Sequence, residues 1–111
     1  MVGGGVSVAT REDRIKAVRA YLTEYLADLG DLTDDASQDG TVHYFRIGQE
    51  YTLVLSRELM DLEPESLLAL LHRNQVARQI RSDGKGAVLA VNSSGESDRY
   101  TWEKWERRRQ R

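Results

Sequence analysis

The chain has 111 residues, of which 40% are hydrophobic and 31% charged, enough apolar material for one core and too much for a disordered segment. The absence of cysteine excludes a disulfide framework, a thiol nucleophile and a cysteine zinc site, and fits a reducing, cytoplasmic setting. The net charge of −2 conceals two unlike halves, since residues 1–65 carry 6 Lys/Arg against 13 Asp/Glu and residues 66–111 carry 10 against 5.

Residues 1–9 read as a flexible, glycine-rich leader, without the basic region or the apolar stretch of a signal peptide. Residues 10–111 read as a single domain ending in a basic helix. No apolar run approaches the ~20 residues needed to span a bilayer, so no membrane partner is expected.

From Thr10 to Leu29 the apolar positions Ile15, Val18, Leu22, Tyr25, Leu26 and Leu29 recur at helical spacing. Thr10 is a good N-cap with Asp13 three residues on, and Gly30 supplies the stop. The acidic segment DLTDDASQDG then reads as a loop. TVHYFRIGQEYTLVLSREL reads as a β-hairpin around Gly48, both arms being rich in β-branched and aromatic residues. Its register has two solutions. A two-residue turn puts Val42 and Tyr44 on the face of Leu53 and Leu55, and a three-residue turn puts Phe45 and Ile47 there. The second is favoured.

Pro64 suits the first position of the next helix, where its missing N–H costs nothing. The apolar stripe changes direction between Leu71 and Val76, which predicts a break near Asn74, with Asn74 capping a second short helix. After a Gly84–Gly86 turn, AVLAV reads as a buried strand, DRY as a short return strand, and Thr101 as the cap of a last helix. The expected fold is therefore α+β, with a small, mainly antiparallel sheet of three or four strands, helices packed on it, and the order α-β-β-α-β-(β)-α.

Few residues suggest chemistry. Asp35, Ser37, Asp39 and Gly40 match the start of a calcium-binding loop, but Arg46 stands where the bidentate glutamate belongs, so no metal is expected. His43 and His72 have no ligand-spaced companions. DGKG around Lys85 lacks phosphate-loop spacing, and no serine stands in a nucleophile context. An enzyme is not expected, nor any cofactor. The remaining third hypothesis places a catalytic site at His43 with Asp35 or Asp39.

The sharpest hint is TWEKWERRRQR. Arginines at a helix C-terminus complement its partial negative charge, and tryptophans at i and i+3 would dock the helix on a core. That structural account is favoured over phosphate binding. The same residues, Arg107, Arg108, Arg109 and Arg111, with Arg78, Arg81, Lys85 and Arg99, are the candidate contact surface. The leading expectation is a small interaction or regulatory module contacting a protein partner or a second copy of itself. The alternative is nucleic-acid binding through the arginine-rich helix.

Overall fold

A computed structural model describes residues 9–92 and 94–109; Arg111 and most of the expected leader lie outside the described residues. The elements are α1 (Arg11–Leu26), a 3-10 turn (Ala27–Leu29), β1 (Leu32–Ala36), β2 (Val42–Ile47) and β3 (Tyr51–Ser56), then a second 3-10 turn (Leu59–Asp61). They continue with α2 (Pro64–Arg73), α3 (Val76–Asp83), β4 (Ala87–Val91), β5 (Ser97–Thr101) and α4 (Trp102–Arg109). The class is α+β. The sheet has five strands in the order β1-β2-β3-β4-β5, antiparallel throughout except for the parallel pair β3–β4. Among the described residues no helix is long and apolar enough to cross a membrane.

Two features correct the expected sheet. The acidic segment assigned to a loop contains β1. Aspartates are poor strand formers, but β1 is an edge strand whose backbone pairs with β2 on one side only, so Thr33 and Asp35 reach water. Leu32 packs against the core from the inward face. The second correction is the parallel pair. α2 and α3 carry the chain across the sheet before β4, and such a crossover brings two strands together in parallel.

The hairpin adopts the favoured register. Phe45 lies opposite Leu53 and Ile47 opposite Tyr51, joined by the three residues 48–50. Gly48 is required here. Its φ is +62°, and a Cβ on the facing Gly30 (φ +137°) would lie 2.6 Å from the Gly48 Cα, so the two backbones touch.

α1 starts as its sequence predicts, with Thr10 and Asp13 forming a reciprocal capping box. Its buried stripe differs by one position, since Tyr21 is buried while Tyr25 is 43% exposed. The reason lies in the helix break. Tyr21 Oη accepts from the Ala77 N–H (3.0 Å) and donates to the Leu71 carbonyl (3.3 Å), satisfying both helix ends at the junction. Asn74 therefore does not cap α3. Its amide donates to the Leu70 carbonyl at the end of α2, and Gln75 makes the turn with φ +52°.

α1, α2 and α3 cover one face of the sheet, closing on Phe45, Ile47, Leu53, Leu55, Leu89 and Val91. The other face carries a smaller cluster of Tyr44, Val54, Val88 and Trp105, covered by α4 alone.

Candidate interaction surface

The seven basic candidates among the described residues do not gather on one patch. Arg81 on α3 forks onto Asp28 (2.8 and 2.9 Å), Lys85 meets Glu50 (3.4 Å), and Arg99 meets Asp83 (2.5 Å). Arg109 reaches Asp39 (3.6 Å), and Arg78 reaches the Gln75 side chain (3.3 Å). Arg107 is exposed near the end of α4, and Arg108 lies over the Tyr100 ring, 5.6 Å from its centroid. Arg81 and Arg99 belong to the side of the sheet that carries three helices, whereas Arg108 and Arg109 stand on the α4 side.

His43 is closed to substrate. It is 3% exposed, with Nε2 3.0 Å from Asp34 and Nδ1 3.5 Å from the Arg11 guanidinium. Asp34 also takes Arg19 at 2.5 Å. Burial pushes the Asp34 carboxyl up, but the hydrogen bonds from His43 and Arg19 outweigh it and hold the group below the usual carboxylate range. Asp35 faces the opposite side of the sheet, beside Tyr44. Asp39 is taken up by Ser37 and Thr41 in the β1–β2 turn. His72 packs edge-on against Tyr21 and Tyr25. The third hypothesis therefore has no assembled site. Among the described residues no group of three or more His, Asp or Glu side chains is placed to hold a metal ion.

The second face of the sheet is a different kind of surface. α4 follows β5 without a linker, its first turn capped where Thr101 Oγ1 accepts from the Lys104 N–H (3.3 Å). It leaves from the Thr101 end of the sheet and brings Arg109 to Asp39 at the opposite end. The helix thus crosses the face diagonally. Trp105 anchors it, buried and donating from Nε1 to the Tyr44 hydroxyl (3.0 Å). Trp102 does not dock as expected, since it remains 38% exposed.

A helix of eight residues spans only about 12 Å, so a diagonal crossing leaves part of the sheet open. One hollow of about 170 Å³ lies between Trp105, Val42, Val54 and Ala90. A second, of about 280 Å³, lies between Trp102, Arg46, Gln49, Thr52 and Val88. At the edge of the second, the Arg46 guanidinium carbon sits 5.3 Å from the Tyr44 ring centroid and 5.5 Å from that of Trp102. Arg46 was not among the expected contact residues. The signal was present in the alternation of β2, where Tyr44 and Arg46 must face away from Phe45 and Ile47 once the register is chosen.

Comparison with protein-family models, with curated proteins and with solved structures gave no match.

Proposed function

We propose that this protein is a non-enzymatic interaction module that binds a protein partner through the α4 side of its sheet. The observation that carries this reading is the unequal covering of the two faces. Three helices bury one face, while a single short helix leaves Trp102, Arg46 and open hollows on the other. Aromatic residues and arginine are the side chains most enriched in the energetic centres of protein interfaces. Arg46 gives the surface an unspent positive charge, which suits a partner presenting carboxylates.

Nucleic-acid binding is less well supported. Arg81, Lys85, Arg99 and Arg109 already face carboxylates, and Glu103 and Glu106 stand on α4 ahead of its run Arg107–Arg109. Each such acid repels phosphate.

Site-specific photo-crosslinking tests the interface. A photoreactive residue replaces Thr52 or Trp102 on the proposed surface, or Glu12 on α1. The expected result is one discrete protein adduct from positions 52 and 102, lost when Ala90→Arg fills the neighbouring hollow, and none from position 12. Equal labelling from all three positions, or no adduct from the α4 side, removes the reading. A mobility-shift series over salt addresses the alternative. Binding that falls several-fold when Arg107, Arg108, Arg109 and Arg111 become Gln would put nucleic acid in its place.

A further inference from the structure

Arg46 has an unusual environment for a half-buried cation. Among the described residues its guanidinium makes no hydrogen bond and no ion pair, although Tyr44 and Trp102 lie against it. A guanidinium held against aromatic rings keeps its in-plane N–H groups available, and their fork matches the two oxygens of a carboxylate. These donors are not closed off from water, and a charge-assisted, forked hydrogen bond to a carboxylate is stronger than one to a neutral acceptor, so a carboxylate is the favoured occupant.

The surroundings define what that acceptor carries. Thr33 and Thr52 flank Arg46 across the sheet, on the same face, and offer hydroxyl donors. Val88 and Trp102 form an apolar wall of the hollow, and Gln49 stands at its rim. The one acid lining the hollow, Glu50, is engaged by Lys85. On its other side Arg46, with Tyr44 and Trp102, also lines a hollow shared with Asp35 and Glu106, with which it forms no ion pair, and with Arg109, which is turned to Asp39. A single available cation suits a monoanion better than a phosphate dianion. A volume of about 280 Å³ takes one residue rather than an extended segment.

We propose that Arg46, set between Tyr44 and Trp102, receives the terminal carboxylate of a partner peptide whose last side chain is apolar. The carboxylate lies on the Arg46 fork with Thr52 beside it, and the side chain lies on Trp102 and Val88. This rests on the interaction reading and deepens it by naming the chemistry that the partner presents.

The test uses the full chain and small probes, so that its failure is separable from failure of the interface. Proton–nitrogen spectra follow the Arg46 Nε–H and Trp102 indole signals during titration with N-acetyl-leucine, N-acetyl-leucinamide and inorganic phosphate. The expected result is a saturable shift of both signals with the acid and none with the amide. Arg46→Lys, which keeps the charge and loses the fork, should weaken the acid by roughly tenfold. Arg46→Gln provides a second variant, and the acid-against-amide comparison needs none. Equal binding of acid and amide, tighter binding of phosphate, an affinity unchanged in Arg46→Lys, or no saturable shift overturns the proposal. If crosslinking at Trp102 persists in any of these cases, the interface stands and only its carboxylate is lost.

Discussion

Asp39 accepts three hydrogen bonds through Oδ1, from the Ser37 hydroxyl (2.7 Å), the Thr41 hydroxyl (2.8 Å) and the Thr41 N–H (3.1 Å). These bonds, the Ser37 hydroxyl foremost, lower its pKa to about 2. An unfolded aspartate titrates near ~3.9, so the bonds stabilise the folded state fully above that pH. The contribution is lost as pH falls from about 4 towards about 2. A carbon-detected carboxyl titration should place Asp39 at the acid end of that window, and Asp39→Asn should flatten the stability profile across it. Asp83 has the opposite sign. Burial raises its pKa even beside Arg99, and its Oδ2 is buried without a hydrogen-bond partner. Removing Arg99 as Arg99→Ala leaves that carboxylate uncompensated, at a cost of roughly 1–3 kcal/mol at neutral pH. Because the folded pKa then lies above the unfolded one, protonation relieves the cost as pH falls. Urea unfolding at pH 7 and pH 5 should show the variant's deficit shrinking at the lower pH. A deficit that stays constant would mean that Asp83 does not carry it.

Among the elements, α4 depends on one side chain. Trp105 is its only buried residue and supplies both the apolar contact and the hydrogen bond to Tyr44. Large aromatic truncations in cores cost about 3–5 kcal/mol, and the hollow already beside Trp105 puts Trp105→Ala near the lower end. Trp102→Ala should cost below about 1 kcal/mol, in keeping with a half-exposed ring. Denaturant midpoints of the two variants, with unchanged slopes, check the difference. A Trp102 effect as large as that of Trp105 would mean that the ring supports the fold and is not free for a partner. The elements whose cues are local were legible in the sequence. The Thr10–Asp13 capping box and Pro64 at the start of α2 each depend on neighbouring residues alone. β1 was not legible, because its strand conformation comes from pairing with β2 and runs against its own aspartates. The Tyr21 hydroxyl bridge was hidden for the same reason, since its partners Leu71 and Ala77 stand 50 and 56 residues away. Arg46 was visible only in part. The register put it on the α4 side, but nothing local told that Trp102 would lie against it.

At the scale of the whole molecule, the opposed charges of the two halves meet within one chain. Asp28, Asp39 and Glu50 from the acidic half face Arg81, Arg109 and Lys85 from the basic half. Exposed pairs of this kind contribute little to stability, on the order of 0–1 kcal/mol each, so their main effect is on the surface field. They turn three cations away from any outside anion. The consequence is testable by neutralising the acids and leaving every arginine in place. The combined variant Asp28→Asn, Asp39→Asn and Glu50→Gln frees three positive charges while preserving the size of each side chain. Wild type should bind a short DNA duplex weakly and with a shallow salt dependence. The variant should bind more tightly, with the slope of log affinity against log salt steeper by up to about 0.9 for each freed cation that reaches a phosphate. Equal, steep slopes for both proteins would mean that the ion pairs screen nothing. The basic half would then already be engaged with nucleic acid, and the arginine helix would replace the Arg46 surface as the working face.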